Sequence, residues 1–295
     1  MIDLLSVGHA AYDLTMSVEH HPTADEKLQA TSMQTCGGGP AANAAVQVAR
    51  LGGTASFCGY LGNDLYGDAH AAELEAEGVD LTYLVRGSNP SSISQILAKP
   101  DGKRALVNFK GETPWLAADA IDLIGSRPRA ILLDGHEPLL SELAIDWAAD
   151  EEIPTILDAG SLHRGTEALA MKVDYLVASE KFAHQYCGTD DMKLALKQLS
   201  DQRDRVVITL GEAGLLWARN GKRGDMPAFR VNAVDSTGAG DAFHGAFALG
   251  VARGMGWNEL LRYASAAGAL TCTRLGARQG LPCATEVEQL LKEAN

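Results

Sequence analysis

Two carboxylates and a run of small residues near position 240 form a pattern that can carry group-transfer chemistry. Asp235 precedes Gly238-Ala239-Gly240, and Asp241 opens a helical pattern that continues to about Gly254. Backbone N–H groups at a helix N-terminus bind anions, because they lack partners within the helix and the helix dipole is positive there. A carboxylate beside such a cradle can take a proton from an attacking hydroxyl while the amides hold a phosphoryl group.

The structural alternative for Asp241 is a favourable interaction with the helix dipole, since acidic residues suit the first turn of a helix. Two observations favour the chemical interpretation. Gly238-Ala239-Gly240 offers no large side chain for packing, and Asp235 lies six positions before Asp241 in the same loop. We therefore predict that Asp241 is a general base and that the small residues before it form an anion hole.

A second group of residues is typical of a polyol site. The run Gly37-Gly38-Gly39-Pro40 precedes an Ala-rich helical pattern, which predicts a helix N-terminus that a ligand can approach. A tight turn is the alternative, because glycines form turns readily. Asn43 is polar within an otherwise apolar helix face, which favours a hydrogen bond to a substrate hydroxyl. Asp13 follows the first predicted strand and could accept hydrogen bonds from a polyol.

The elements that must position these residues alternate along the chain. Short apolar runs alternate with patterns of helical period, which predicts an α/β fold around a mainly parallel sheet. In such folds the ligand site lies beyond the carboxyl ends of the strands. The predicted strands are 4–8, 130–134, 155–158, 175–178, 206–210 and 215–218, and the clearest predicted helices are 41–51, 69–77, 140–149 and 191–199.

Two polar segments, 17–35 and 91–109, interrupt the alternation. The second holds strand-like pieces on either side of the turn signal Pro100-Asp101-Gly102. We expect these segments to form a small β-sheet that closes over a ligand. Because the sequence contains no linker or repeat, we expect residues 1–295 to form a single domain that carries this lid.

Charge and hydropathy exclude several classes of partner. The chain has 25 Lys and Arg against 38 Asp and Glu, a formal net charge of −13. This charge disfavours binding to nucleic acids and to anionic membrane surfaces. No apolar run approaches the ~18 residues of a membrane span, and the N-terminus lacks a signal-peptide pattern. We expect a cytoplasmic protein that binds a small molecule, and a local pocket of amides could still hold an anion.

The two motifs together resemble the signatures of the ribokinase-like (PfkB) carbohydrate kinases, and the resemblance covers nearly the whole chain. It implies a Rossmann-like three-layer core, a β-sheet lid that often forms a dimer interface, and transfer of the γ-phosphoryl group of ATP to a sugar or nucleoside hydroxyl. By position it implies a catalytic base at Asp241, an anion hole at Gly238-Ala239-Gly240, substrate contacts at Asp13, Gly38, Gly39 and Asn43, and an ATP-lining segment with Thr209, Gly211 and Gly214.

The resemblance also implies cations. Asp235 matches a ligand of the monovalent cation, K⁺, that stiffens the anion hole in many members, and carbonyls near Thr271, Gly276 and Gly280 would complete that site. Mg²⁺ is expected with ATP. Many members position it through waters with an Asn-x-x-Glu motif, but the matching segment here is Ser179-Glu180-Lys181-Phe182. We expect Glu180 to take part in the water network instead.

Within the family, the sequence looks most similar to the sulfofructose kinase and ketohexokinase branch, which favours a ketose-type acceptor. Lys27, Asn108 and His136 match the positions where sulfofructose kinases contact a sulfonate. His136 stands where an Arg is expected, and a His cannot form the same bidentate clamp. Lys27 could equally be a solvated lid residue, and His136 a satisfied histidine at a strand end.

Other functions stay open at this point. A nucleoside acceptor is an alternative within the family, and a catalytically silent sugar-binding protein is suggested by Phe182. An NAD-dependent oxidoreductase fits poorly, because the first strand turn, Gly8-His9-Ala10-Ala11-Tyr12, lacks the glycine fingerprint.

Overall fold

The computed structural model describes residues 2–100, 104–119, 121–122, 125 and 127–294. The strands are β1 (Ile2–Val7), β2 (Ala11–Ser17), β3 (Ser32–Gly38), β4 (Ala55–Gly62), β5 (Leu84–Gly87), β6 (Ser92–Ala98), β7 (Arg104–Phe109), β8 (Pro128–Leu133), β9 (Thr155–Ala159), β10 (Tyr175–Ser179), β11 (Val206–Thr209), β12 (Leu215–Arg219) and β13 (Lys222–Met226). The helices are α1 (Pro40–Arg50), α2 (Leu65–Ala76), α3 (Pro138–Asp150), α4 (Arg164–Leu169), α5 (Glu180–Cys187), α6 (Met192–Ser200), α7 (Ala239–Ala252), α8 (Trp257–Thr271), α9 (Ala277–Gly280) and α10 (Ala284–Glu293).

A large sheet forms the middle layer, in the strand order β13-β12-β11-β10-β9-β8-β1-β4-β5. Its strands run parallel from β11 to β5, and β12 and β13 add an antiparallel edge. The predicted α/β architecture with a mainly parallel sheet is therefore confirmed. Parallel strands carry their loops at one edge, so the carboxyl ends of β1, β8, β9 and β10 define the edge where a ligand would bind.

Helices cover both faces of the sheet, because successive strand residues point to opposite sides. Leu4 of β1 is buried with α1, α7 and α8, whereas its neighbour Leu5 is buried with α3, α5 and α6. These two apolar clusters make the chain a three-layer structure. Within the ranges that the structure describes, no helix has both the length and the apolar character to cross a membrane.

The second sheet is small and has the order β3-β2-β6-β7. The predicted segment 91–109 holds β6 and β7, whereas the predicted segment 17–35 is mostly the loop between β2 and β3. The small sheet thus begins earlier, at Ala11, and continues to Gly38. Of the predicted turn, Asp101 and Gly102 lie outside the described residues. We call this sheet the lid.

One face of the lid looks into the cleft above the large sheet. Asp13 of β2 pairs in register with Cys36 of β3 and Ser94 of β6, and Ser94 pairs with Asn108 of β7. Residues paired in this way point to the same face of a sheet. The row Cys36–Asp13–Ser94–Asn108 therefore crosses the lid on its cleft side.

Candidate active site

The N-terminal turns of α1 and α7 meet in the cleft, and the two polar side chains that they carry contact each other directly. Asn43 is buried in the first turn of α1, and Asp241 lies in the first turn of α7. The Asn43 Nδ2 group donates a hydrogen bond of 2.6 Å to Asp241 Oδ2. The two motifs, separated by 198 positions, thus form one site.

Asp13 faces the same cleft from the lid. Its side chain lies against Gly38, where a Cβ atom would collide with the carboxylate, so this close approach requires glycine. The pKa of Asp13 is raised to about 6, mainly by burial and also by the charge of Asp241, although a hydrogen bond with Ser94 lowers it. The pKa of Asp241 is also raised by burial, and the hydrogen bond from Asn43 opposes that effect. Each acid therefore holds its proton more tightly than a solvated carboxyl group does.

The loop before α7 has the geometry of an anion cradle. Gly238 is the N-cap residue of α7 with φ 79°, a left-handed conformation, and a Cβ atom there would lie 2.8 Å from the Ala277 Cβ atom. Glycine is required on both counts. A Cβ atom at Gly240, in contrast, would meet nothing within 4 Å. Gly240 therefore borders open space in the first turn of α7, whereas the Ala239 N–H donates a hydrogen bond of 3.3 Å to the Ser236 carbonyl oxygen.

Asp235 fastens this loop to α9. Its Oδ1 accepts hydrogen bonds from the backbone N–H and the hydroxyl of Thr237, and its Oδ2 accepts one of 2.9 Å from the Gly276 N–H. Burial raises the pKa of Asp235, but these hydrogen bonds outweigh it and the pKa is lowered. The Gly280 N–H donates to the Gly276 carbonyl, and a Cβ atom at Gly280 would lie 2.7 Å from the Thr271 carbonyl oxygen. The structure thus brings the four predicted cation-site residues together.

The structure adds residues that the sequence did not single out. Asp134 follows β8 and accepts backbone N–H groups from His9 (2.7 Å), Ala41 (3.3 Å) and His136 (2.9 Å). It thereby ties the end of β1 to the start of α1. A strand-end Asp was the available signal, but its partners depend on the tertiary fold.

Two further buried groups lie beneath the site. His244 of α7 has its Nδ1 atom 2.7 Å from the Gly240 carbonyl oxygen and 3.3 Å from Asp158 Oδ2. Burial raises the pKa of Asp158 to about 7, and the charge of His244 lowers it. Arg278 of α9 is 4% exposed, and its Nε atom donates to Asn43 Oδ1 at 3.2 Å. No sequence pattern had marked these contacts.

A cavity of about 520 Å³ lies between the lid and the Asp235 loop. Asp13, Cys36 and Gly276 line it, and so does Arg104 at the start of β7. Arg104 crosses the cavity: its Nη1 atom contacts the Thr237 hydroxyl and lies 3.9 Å from Asp235 Oδ1. The lid therefore directly contacts the loop that precedes α7, from Asp235 to Gly238, which we call the anion loop.

The predicted ATP-lining residues lie at the end of β11. Thr209 is the last residue of that strand, Gly211 opens a turn of 3-10 helix, and the Gly214 N–H donates to the Gly211 carbonyl. On the neighbouring strand β10, Ser179 caps α5 by accepting the Phe182 N–H. Phe182 itself is fully buried and stacks on Tyr186. Packing thus explains the apolar residue where the Asn-x-x-Glu motif has a carboxylate, and Glu180 is exposed in the first turn of α5.

The three residues predicted to contact a sulfonate do not all reach the cleft. Asn108 is on the cleft face of the lid, and His136 lies at the end of β8, where its Nδ1 atom is 3.0 Å from Lys110 Nζ. Lys27 lines a groove with Met16 and Leu97 on the opposite face of the lid, so the structure does not bring it to the other two. His136 also stacks on His163, and burial lowers the pKa of both imidazoles.

A three-layer α/β core, a β lid, and a carboxylate beside the amides of a helix N-terminus define a small-molecule phosphotransferase. The family follows from a direct comparison, in which the model described as "pfkB family carbohydrate kinase" matches residues 1–284. The chain belongs to the pfkB family of carbohydrate kinases. The predicted family and enzyme class, a phosphotransferase with an alcohol acceptor, are therefore confirmed.

Similar proteins agree with this assignment over nearly the full chain. The ribokinase of Bacillus subtilis is 29% identical over 99% of this chain and 100% of its own length. The ATP-dependent ribose-1-phosphate kinase of Halopiger xanaduensis is 30% identical over 99% of both chains. Among solved structures, the ribokinase of Thermotoga maritima has a TM-score of 0.88 at 30% identity, covering 99% of this chain and 100% of that one. The Arabidopsis thaliana ribokinase complexed with ribose and ATP has a TM-score of 0.87 at 27% identity, covering 99% of each.

Proposed function

We propose that this protein transfers the γ-phosphoryl group of ATP to a primary hydroxyl of a sugar, with a ketose-type acceptor preferred. One observation carries the proposal: Asp241, held by Asn43, lies beside the amides that precede α7. Asp13 lines the cavity under the lid, and the charge of Asp241 reaches its carboxylate. We infer that a proton acceptor, an anion cradle and a polyol ligand serve one substrate site.

In the proposed reaction, Asp13, Gly38 and Gly39 hold the sugar while the lid excludes water, which protects ATP from hydrolysis. Asp241 accepts the proton of the acceptor hydroxyl as its oxygen bonds to the γ-phosphorus and the bond from that phosphorus to ADP breaks. The amides of Gly238-Ala239-Gly240 stabilise the charge on the transferred group.

We propose that this chain binds ATP together with Mg²⁺. Thr209, Gly211 and Gly214 are the residues proposed to line the ATP site. Mg²⁺ usually keeps several waters and is bound mainly through the phosphates of its nucleotide, with few protein ligands. Mg²⁺ supplies charge neutralisation on the phosphates when bound, and Glu180 is the side chain we propose for its water network.

We include K⁺ in the proposal, at the site formed by Asp235 and the carbonyls of Thr271, Gly276 and Gly280. The contacts that gather these residues around the anion loop support it. A cytoplasmic location, where ATP and Mg²⁺ are available, and a single domain over residues 1–295 complete the proposal.

Two classes of sugar are candidates for the acceptor of the phosphoryl group. Resemblance to ketohexokinases supports a ketose, and the Zea mays fructokinase-1 is 29% identical over 87% of this chain and 88% of its own length. A sugar with an anionic substituent, such as a sulfonate, is a second candidate. The contact of 3.0 Å between Lys110 and His136 supports it, whereas the position of Lys27 does not. Nucleoside phosphorylation and silent sugar binding remain outcomes of the test.

The test is ADP release measured with Mg²⁺, with and without K⁺, over neutral ketoses, pentoses, nucleosides and sulfonated or phosphorylated sugars. We expect ADP in proportion to one sugar, and we expect Asp241→Asn to lower kcat at least ~100-fold, as loss of a general base does, while ATP binding measured by calorimetry persists. A silent protein would release no ADP, and an unchanged kcat in Asp241→Asn would refute the base.

A Lys110→Met variant separates the two acceptor candidates. If the acceptor is anionic, this substitution raises its KM at least ~10-fold, because a charged hydrogen-bond partner is lost, and leaves KM for ATP unchanged. If the preferred acceptor is a neutral ketose, its KM stays within ~2-fold, since an exposed contact contributes little.

A further inference from the structure

Arg278 is a buried cation that lies between elements of the cleft without facing the substrate cavity. It belongs to α9, and its backbone carbonyl accepts a hydrogen bond of 2.8 Å from Arg50 Nη1. The guanidinium donates to Asn43 Oδ1 through Nε and lies 3.3 Å from His70 Nε2 through Nη2. No described residue accepts a hydrogen bond from its buried Nη1. A buried charge with an unmet donor is costly, so a role for Arg278 beyond stability is expected.

The contact with Asn43 decides which way that amide points. An Asn side chain has one acceptor oxygen and one donor nitrogen. With Oδ1 turned to the guanidinium of Arg278, Nδ2 must point to Asp241, and the two hydrogen bonds measure 3.2 and 2.6 Å. The flipped amide would set a donor against the guanidinium and an oxygen against the carboxylate. Arg278 therefore selects the orientation that stabilises ionised Asp241.

The charge of Arg278 also reaches both acids of the cleft, because it lowers the pKa of Asp241 and of Asp13 against the effect of burial. Several other charges surround Asp241. The carboxylates are Asp13 on β2, Asp134 after β8 and Asp158 on β9, and the cationic contribution of α7 comes from His244. Arg278 keeps its charge throughout the pH range of an enzyme assay, because a guanidinium is not deprotonated in proteins.

We propose that Arg278 is a positioning residue for phosphoryl transfer: through Asn43 it fixes Asp241, and its charge keeps that carboxylate ionised in a site with several other acids. The proposal rests on the proposed role of Asp241 as the general base. With Oδ2 held by Asn43, the proton of the acceptor hydroxyl goes to Oδ1.

The first experiment measures kcat/KM against pH for Arg278→Gln. Loss of the cation raises the pKa of Asp241, so the acid limb of the profile moves to higher pH. We expect a move of at least about half a pH unit, since an adjacent opposite charge shifts a carboxyl pKa by about 1 to 3 units and here it acts across one amide. The same shift is expected in the ¹³C NMR titration of the Asp241 carboxyl in the free enzyme, assigned with Asp241→Asn.

Arg278→Lys separates charge from orientation. A lysine keeps the charge but lacks the planar fork, so the acid limb should stay within ~0.3 pH units of wild type while kcat on the plateau falls. Arg50→Gln is the matched control: it weakens the same contact of α9 with α1 without removing the Arg278 side chain. It is expected to lower the melting temperature and leave the acid limb in place.

A double-mutant cycle of Arg278→Lys with Asn43→Ala tests whether Arg278 acts on Asp241 through Asn43. This test does not depend on whether Arg278→Gln folds. If Arg278 acts through Asn43, Arg278→Lys should cost little further kcat in the Asn43→Ala background; additive losses would contradict the proposal. An unmoved acid limb and an unmoved NMR titration in a folded Arg278→Gln would overturn it as well. Full activity of Asp241→Asn, in contrast, would remove the proposed base and is a separate failure.

Discussion

The fold buries the carboxylate of Asp13 and partly buries that of Asp241, and the two charges repel each other. The charge of Asp241 is one cause of the raised pKa of Asp13, and burial raises the pKa of both. A site that must bind hydroxyls and accept a proton needs ionised carboxylates in a space closed to water. These carboxylates therefore lower the free energy of unfolding, which is expected at positions where function requires a particular residue type.

Replacement of Asp13 should expose this cost. The pKa of Asp13 is raised to about 6 from 3.8. The free energy of unfolding therefore falls as the pH rises from about 4 to about 6, and it keeps this lower value at higher pH. At pH 7.5 Asp13→Asn should therefore raise the free energy of unfolding by about 2 to 3 kcal/mol, while KM for the sugar rises at least ~10-fold through lost charged hydrogen bonds. Urea unfolding and initial-rate kinetics measure the two effects.

Asp80→Asn is the control for that prediction, with the opposite sign. Burial acts against the ionised form of Asp80, but hydrogen bonds with Ser56 and Thr82 outweigh it and lower the pKa. Its removal should therefore destabilise the protein at pH 7.5. A loss of stability in both variants would contradict the argument for Asp13.

Among individual residues, the sequence marks those that lie within local motifs, but it does not mark those whose contacts depend on tertiary packing. Helix N-termini and small residues mark Asn43 and Asp241 locally, and their roles stay predictions. The hydrogen bond predicted for Asn43 was to a substrate hydroxyl, whereas its Nδ2 group donates to Asp241 and its Oδ1 atom accepts from Arg278. Arg278 could not, because its partners come from α1 and α2. For Lys27 the local sequence does not say which face of the lid it lies on, and the register decides that: Met16, beside Lys27, points away from the cleft that Asp13 faces.

At the scale of elements, the alternating pattern predicted six strands of the large sheet correctly but missed β4, β5 and β13, of which β4 lies beside β1 in the interior of the sheet. Gly59 and Gly62 interrupt its apolar run, and glycines normally weaken a strand pattern. They are required here because a Cβ atom at Gly62 would come within 2.8 Å of Asp64 Oδ2 and the Ser91 N atom. The packing that needs these glycines is not visible in the local sequence.

Two glycines at the start of α7, Gly238 and Gly240, should differ in how well they tolerate replacement by alanine. Gly238→Ala places a Cβ atom at a positive φ and 2.8 Å from Ala277, so we expect a loss of about 1 to 3 kcal/mol in unfolding free energy and a fall in kcat. Gly240→Ala meets nothing within 4 Å. It should fold as the wild type does, with stability within ~1 kcal/mol or slightly raised, since alanine favours a helix.

The kinetics of Gly240→Ala then test the anion cradle. A methyl group beside the transferred phosphoryl group should lower kcat at least ~10-fold, because a small misplacement of reacting groups costs about that much or more, while chemical denaturation shows a stable fold. Wild-type kcat in this variant would place the phosphoryl group elsewhere.

At the scale of the whole molecule, the outer face of the lid is apolar. Met33, Val107 and Phe109 share it by register and are 55%, 70% and 54% exposed. Exposed apolar strands favour pairing with another chain, which supports the dimer through the lid that the family resemblance implies. Val107→Glu should shift the mass measured by light scattering from dimer to monomer, whereas Leu139→Glu, on α3, should not. A monomeric wild type at assay concentrations would contradict this.

The lid also crosses the cleft, and Arg104 is the residue that links its movement to the chemistry. From β7 it contacts the Thr237 hydroxyl and lies 3.9 Å from Asp235 Oδ1, so this contact forms when the lid is down. Arg104→Met keeps the length of the side chain and removes its charge. Closure then becomes less favourable, and we expect KM for the sugar to rise about 10-fold, near the lower end of what a charged hydrogen bond contributes, because Arg104 is partly exposed.

Incomplete closure should also admit water to the bound nucleotide. In Arg104→Met the ratio of ADP released to sugar phosphate formed should therefore exceed the value of one expected for the wild type. Arg129→Met is the control, since Arg129 pairs with Asp3 near the start of β1, at the edge of the sheet away from the cleft. If Arg104→Met leaves both KM and this ratio unchanged, the lid closes without the contact between Arg104 and Thr237. Exclusion of water must then depend on the other residues on the cleft face of the lid.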